Sequence, residues 1–155
     1  MPRGTKRSAV SVGYISGLQL EGDTLTYCDS RGGRALDLSS GVESARERPC
    51  DRHEERNRAC AEIDFIDAVR EPDQNDIIDL NDGMSIPVNG HIHDCAFSSG
   101  TLLVATGLEV VAIDVKADQR EVLSKEGGQQ VAINGSWLAW SEALDKAEKV
   151  LARRR

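Results

Sequence analysis

Two histidines and an aspartate stand close together in the segment His91-Ile92-His93-Asp94. On a β-strand, residues i and i+2 point to the same side, so the imidazoles of His91 and His93 could reach one metal ion. Asp94 would add a carboxylate, and a further ligand would have to come from elsewhere in the chain. The segment therefore has two interpretations, a divalent metal site and the polar start of a strand.

The four cysteines of the chain are Cys28, Cys50, Cys60 and Cys95. No two of them form a C-x-x-C pair, which argues against the common kind of structural zinc site. Cys50 and Cys60 bracket a highly charged segment and could close it with a disulfide in an oxidising compartment. The alternative is four free thiols in a reducing cytoplasm, and the sequence leaves the compartment open.

Residues 61–90 hold the whole charge surplus of the chain, with eight acidic residues against one basic residue and a net charge of -7 overall. The candidate interaction surface within this segment consists of Asp73, Asp76, Asp79 and Asp82. Such a field could attract a basic partner or a divalent cation, whereas the plainer interpretation is solvated turns and strand ends. The spacing of these acids is not that of an EF-hand loop.

Several kinds of function are disfavoured by the sequence. It contains neither G-x-S-x-G nor S-x-x-K, and its glycine pairs lack the Lys-Ser/Thr that a phosphate-binding loop requires. A pI near 5.0 argues against a general nucleic-acid binder. No apolar run approaches the roughly 18 residues of a membrane-spanning helix, and no secretory signal is visible. We therefore expect no bound cofactor, and the balance favours a protein that is not an enzyme.

Two series of apolar residues recur at a spacing of about a quarter of the chain. They are Leu25, Ile63, Leu102 and Leu138, followed in each unit by Leu36, Ile78, Ile113 and Val150. Apolar and polar residues alternate around Leu25, whereas residues 102–105 and 110–113 are continuous apolar runs typical of strands covered on both faces. With glycine-containing turns between them, these segments indicate repeated antiparallel strands. Trp137 and Trp140 have an odd spacing, so they should pack on opposite faces of one strand.

The glycine turn followed by a strand that ends in an aromatic occurs in Gly22-Asp-Thr-Leu-Thr-Tyr27 and in Gly135-Ser-Trp-Leu-Ala-Trp140. With the later Leu-Asp-Leu-Ser-Ser-Gly segment, this pattern resembles the blades of TolB-like and quinoprotein-like β-propellers. The resemblance covers roughly residues 14–151 and implies four-stranded sheets arranged around a channel. The Ser-Pro-Asp-Gly turn common in TolB-like blades is missing here.

We therefore expect an all-β fold, a propeller-like array of about four antiparallel blades. The expected units are residues 14–47, 59–88, 90–126 and 128–155, with a charged loop at 48–58. The basic segment 1–13 could return as the closing strand of the last blade. If it does not, blades are missing, and the chain is either part of a larger propeller or self-associates through open edges.

The last fifteen residues support two structures. Residues 141–155 are rich in helix formers, begin with a serine and end in three arginines, as a short C-terminal helix would. The repeat instead predicts a strand near residues 149–152. For the whole chain we expect a non-catalytic binding or scaffold module that presents loops to a protein or ligand. The alternatives are a propeller-type metal-assisted hydrolase or lactonase, and a fragment of a larger propeller protein.

Overall fold

The structure is a computed structural model that describes residues 4–47, 50, 65–69, 77–80 and 85–155. Every regular element in these residues is a β-strand, and the strands form separate antiparallel sheets of three or four strands. The prediction of an all-β fold is confirmed. In the same residues there is no helix long and apolar enough to cross a membrane.

The first two sheets follow the order of the chain. The first sheet contains β2 (Ser16–Glu21), β3 (Thr24–Asp29), β4 (Gly32–Asp37) and β5 (Glu43–Ala45). The second sheet contains β6 (Phe65–Val69), β7 (Ile77–Leu80) and β8 (Ser85–Pro87). Neighbouring strands in both sheets are consecutive in sequence.

The third and fourth sheets are built in the same way, with one addition. The third sheet contains β9 (Ile92–Ser98), β10 (Thr101–Thr106), β11 (Val110–Asp114) and β12 (Gln119–Ser124). The fourth contains β13 (Val131–Ile133), β14 (Trp137–Leu144), β15 (Ala147–Arg154) and, beyond β15, the N-terminal strand β1 (Lys6–Val10). The two ends of the described chain therefore meet in one sheet.

The C-terminal helix is absent, and this part of the prediction is wrong. Residues 137–144 and 147–154 form the hairpin β14–β15, whose turn places Lys146 at a left-handed φ of 60°. In β15 the buried residues alternate with less buried ones, and they are Glu148, Val150 and Ala152. Because β15 has a hydrogen-bonded partner on each side, ladder bonds outweigh the local preference for helix.

In the first and third sheets, the two expected apolar landmarks face each other across a hairpin. Leu25 lies opposite Leu36 in the first sheet, and Leu102 lies opposite Ile113 in the third. In the fourth sheet, however, the residue opposite Leu138 is Arg153 and not Val150. The last landmark of the second series is therefore displaced by three residues. Ile63 lies outside the described residues.

The aspartates that follow Leu36 and Ile113 have the same structural role. Oδ1 of Asp37 accepts hydrogen bonds from the backbone amides of Ser39 and Ser40, at 2.8 and 3.2 Å. Oδ1 of Asp114 does the same for the amides of Lys116 and Ala117, at 3.1 and 3.0 Å. An aspartate at the end of a strand thus closes the turn that leads to the outermost strand.

The hydrophobic core lies in layers between successive sheets. Side chains of β14 divide between two layers: Trp137 packs in a cluster with the first sheet, and Trp140 packs in a cluster with the third. Both tryptophans are buried. The third sheet divides likewise, with Leu102 in one layer and Leu103 in the other. The third and fourth sheets are therefore covered on both faces.

The pairing of β1 with β15 predicts the effect of an N-terminal truncation. Removal of residues 1–10 exposes the hydrogen-bonding edge of β15 and takes five residue pairs from the fourth sheet. We expect the free energy of unfolding to fall by about 2–4 kcal/mol and the protein to self-associate. Urea denaturation followed by circular dichroism, together with light scattering, measures both effects. Removal of residues 1–3 is the control, and equal behaviour of the two truncations would contradict the prediction.

Candidate functional site

Two of the three predicted metal ligands, His93 and Asp94, make side-chain hydrogen bonds to the backbone. His91 is exposed just before β9, and Nδ1 of the half-buried His93 lies 2.9 Å from the carbonyl oxygen of Gly128. The buried carboxyl group of Asp94 accepts hydrogen bonds from the backbone amides of Cys95 and Val131, both at 3.0 Å. Among the described residues, no three His, Cys, Asp or Glu side chains form a group that could hold a metal ion. Asp94 therefore connects the third sheet to the fourth.

Gln130 makes the corresponding connection between the fourth sheet and the first. Its Oε1 accepts a hydrogen bond from the amide of Leu18 at 3.1 Å, and its Nε2 donates to the carbonyl oxygen of Ile15 at 3.0 Å. Asp94 and Gln130 occupy equivalent positions in their sheets. Asp94 lies opposite Ala105 of the next strand, β10, and the carbonyl oxygen of Gln130 accepts a hydrogen bond from the amide of Ser141 in the next strand, β14. Each of them satisfies an edge amide of a neighbouring sheet.

A second buried side chain, Glu148, extends this connection. Its Oε2 accepts a hydrogen bond from the amide of Ile15 at 2.6 Å, and its Oε1 accepts one from the hydroxyl of Ser141 at 3.0 Å. The same hydroxyl oxygen accepts the amide of Gln130 at 3.1 Å. The backbone amide of Glu148 donates to the hydroxyl of Ser11, at 3.0 Å. All four side chains are at most 5% exposed, so this network links β15, β14 and the N-terminal segment inside the protein.

The arginines after Ala152 connect the opposite end of the fourth sheet to its neighbours. Arg154 lies 5.5 Å from the ring centroid of Trp137 and 3.5 Å from the carboxylate of Asp23 in the first sheet. Trp137 Nε1 donates to that same carboxylate at 2.7 Å. Arg155 donates to Thr101 Oγ1 at 2.8 Å on the third sheet, and burial lowers the pKa of its guanidinium.

An ion cluster lies at the outer part of the first sheet. Arg31 pairs with Asp29 at 2.6 Å and with Glu43 at 2.9 Å, and Glu43 also accepts from Arg34 and from the Tyr27 hydroxyl, both at 3.0 Å. Burial alone would raise the pKa of Asp29, but hydrogen bonds from Arg31 and from two backbone amides outweigh it and lower that pKa. The pKa of Glu43 is lowered in the same way, against burial, by hydrogen bonds from Arg34 and Tyr27.

Tyr27 responds in the opposite direction. Burial, together with its hydrogen bond to Glu43 and the negative charges of Glu43 and Asp29, raises the pKa of the phenol. The hydroxyl is therefore held in its protonated form, as a hydrogen-bond donor. The cluster ties β3, β4 and β5 to one another, and its carboxylates are occupied by neighbouring cations.

The structure pairs Cys50 with Cys28, which differs from the predicted Cys50–Cys60 disulfide. The two Cα atoms lie 5.8 Å apart, within the ordinary range for a bridge. A cysteine forms one disulfide, so Cys50 cannot also join Cys60, which lies outside the described residues. Cys95 is disulfide-bonded as well, and no described cysteine is free. The bridge fixes the chain after β5 to the middle of the first sheet, since Cys28 is buried in β3.

The predicted acidic surface is described only in part. Asp79 lies in β7, where it pairs with Ser85 of β8 and with Asp67 of β6. Asp73, Asp76 and Asp82 lie outside the described residues.

Sequence reasoning missed Gln130, Ser141 and Glu148 as connecting residues. The available signal was a polar residue in a buried place of an alternating strand, as Glu148 is between Ala147 and Val150. At Ser141 and Glu148 that signal was hidden because these residues also fit the predicted helix.

The buried network predicts a large loss of stability when Glu148 is replaced. Glu148→Ala removes the acceptors of the Ile15 amide and the Ser141 hydroxyl, and we expect the free energy of unfolding to fall by about 2–5 kcal/mol. Glu148→Gln keeps one acceptor oxygen and should fall between that variant and the parent. Urea denaturation measures the series. Glu126→Ala, at an exposed site, is the control and should change the free energy by less than about 0.5 kcal/mol. Equal losses for both alanine variants would contradict this role.

The ion cluster predicts an acid-dependent loss of stability. Because folding lowers the pKa of Asp29 and of Glu43, their contribution is fully present above about pH 4, the usual carboxyl range. It is lost as the pH falls from there through the lowered values. We expect Arg31→Met to flatten this part of the stability profile, measured by thermal unfolding in steps of pH. Arg46→Met, which removes the more exposed pair with Glu21, should leave the slope unchanged. A profile unaffected by Arg31→Met would contradict the assignment.

Comparisons with known proteins found a similar solved structure but no matching family or curated protein. No family model matches the chain, and no curated protein matches it. Among solved structures, it is similar to a chain titled "AfRom2 CNH domain", with a TM-score of 0.32 and 14% sequence identity. The match covers 90% of this chain and 50% of that one, so the chain spans about half the length of this neighbour. A likeness at this level carries no argument about function.

Proposed function

We propose that the chain is a non-catalytic binding or scaffold module whose sheets are arranged as a divergent or partial β-propeller. The observation that carries the proposal is the position of β13. Strand β13 is the edge strand of the fourth sheet opposite β1. It lies against β9, an edge strand of the third sheet, and also against β2, an edge strand of the first sheet. Sheets that meet through their first strands are the arrangement of propeller blades around an axis.

The hydrogen bonds between sheets support the same arrangement. Asp94 of β9 binds the first amide of β13, and Gln130 before β13 binds an amide of β2. Repetition of one connection in the same direction is what rotation about a common axis produces. The apolar layers on both faces of the third and fourth sheets also fit sheets packed face to face in series.

A binding role follows from where the polar groups are used. The buried polar side chains Asp94, Gln130, Ser141 and Glu148 serve the joints between sheets, and they hold the scaffold rigid. The turns and outer strands are then free to vary, as in other rigid scaffolds that present loops to partners. The acidic segment supplies the charge of such a surface, and a basic partner is the one it would attract.

A cationic peptide tests this proposal. We expect a fluorescent oligolysine peptide to bind the parent protein, as measured by anisotropy, with an affinity that falls as salt is raised. The triple variant Asp73→Lys, Asp76→Lys, Asp79→Lys should abolish the binding. A variant in which three exposed acids outside this segment are reversed, Asp118→Lys, Glu126→Lys and Asp145→Lys, is the matched control and should bind nearly as well as the parent.

Small-angle scattering on the same samples separates the fold from the binding. A compact arrangement of all the sheets predicts a radius of gyration of about 15 Å for a monomer of this length. A clearly larger value for the monomer would contradict the propeller arrangement. A compact protein that does not bind the peptide, or a triple variant that binds like the parent, would contradict the basic partner.

A further inference from the structure

A groove of about 420 Å³ lies between the third and fourth sheets. Its walls come from β10, β11 and β12 on one side and from β14 and β15 on the other. This volume is within the range of pockets that hold small organic molecules.

Three guanidinium groups line this groove in a protein whose net charge is negative. Arg120 comes from β12, Arg153 from β15, and Arg155 follows β15. The acidic residues of the lining are Asp114 and Glu121, so the groove carries an excess of one positive charge.

The carboxylates of Glu121 and Asp114 both have hydrogen-bond partners already, so they do not neutralise all three arginines. Both terminal nitrogens of Arg153 contact the carboxylate of Glu121 across the groove, and Asp114 uses Oδ1 to close its turn. The side chain of Arg120 is exposed and forms no hydrogen bond or ion pair with any residue that the structure describes.

Arg153 also carries an unsatisfied donor. Its Nε is buried, and in the described part of the chain it has no hydrogen-bond partner. A buried N–H without an acceptor is rare in folded proteins, and an acceptor atom from outside the chain would satisfy it. The guanidinium of Arg155 donates to the carbonyl oxygens of Asn134 and Ser98 and to Thr101 Oγ1, so Arg155 contributes its positive charge to the groove.

The floor of the groove is apolar. Ala112 and Leu138 belong to the buried layer between the two sheets, and both also line the groove. A ligand that fits this lining has an oxyanion head for the guanidiniums and an apolar body for the floor.

We propose that the groove between the third and fourth sheets binds a small organic oxyanion, a carboxylate or a phosphate monoester. The head group lies among Arg120, Arg153 and Arg155, and the apolar part lies on Ala112 and Leu138. The inference rests on the proposed binding role and names a ligand class opposite in charge to the basic partner.

Calorimetric titration with phenyl phosphate, benzoate and inorganic phosphate, at constant ionic strength, tests the inference. We expect saturable one-to-one binding of phenyl phosphate or benzoate, and the tighter of the two identifies the head group. Inorganic phosphate should bind at least about tenfold more weakly, because it cannot use the apolar floor. Absence of saturable binding by both aromatic anions would overturn the inference.

Two variants locate the site. Arg120→Ala changes an exposed side chain with no described partner and should weaken binding about tenfold without changing the unfolding transition. Lys125→Ala, an exposed cation outside the groove, is the control and should change the affinity less than about twofold. Equal affinities for the parent and Arg120→Ala would place the anion elsewhere and overturn the inference. Because the peptide experiment uses a different surface and a probe of opposite charge, failure of either proposal is recognised without the other.

Discussion

Strands β2 and β13 each have one edge that no strand of their own sheet pairs with, and these edges lie against the neighbouring sheet. Their backbone amides need acceptors, since an unsatisfied N–H away from water costs about as much as a lost hydrogen bond. The acceptors are single side chains of the adjacent sheet: Asp94 for Val131, Gln130 for Leu18, and Glu148 for Ile15. Each of these bonds also fixes the position of one sheet against the next. The same side chains therefore satisfy the edge amides and join the sheets.

The other end of the fourth sheet is held by charge rather than by buried amides. Arg153 reaches Glu121 on the third sheet, Arg154 lies between Asp23 and the ring of Trp137, and Arg155 reaches Thr101. Alternate residues of a strand point to opposite sides, so a run of arginines can serve both neighbouring sheets at once. In the strand all three arginines therefore contact a neighbouring sheet, although the local propensity of the segment favours a helix.

The sequence predicted those features that depend on short-range patterns. Alternation around Leu25 and the continuous apolar run at residues 102–105 indicated their strands, and the odd spacing of Trp137 and Trp140 placed them on opposite faces of β14. The same patterns did not find the Cys28–Cys50 bridge, because spacing along the chain favoured the nearer pair and only the fold brings β3 close to Cys50. They also misplaced the last landmark at Val150. The β3–β4 and β14–β15 hairpins both have two-residue turns, but β14 and β15 are longer strands, so the residue opposite Leu138 is Arg153.

The candidate site was harder to predict for a related reason. Asp94 was noticed for its carboxylate beside two histidines, yet its hydrogen-bond partner, Val131, lies on another sheet and could not be paired with it from the sequence. Gln130 carries no catalytic signature at all. The corresponding position of the first sheet is Gly17, which has a left-handed φ of 63° and no side chain to offer an acceptor. The first sheet instead carries the disulfide that fixes the chain after β5. A covalent bond there, and side-chain acceptors at Asp94 and Gln130, show two chemical means of fixing neighbouring segments when no regular ladder can do so.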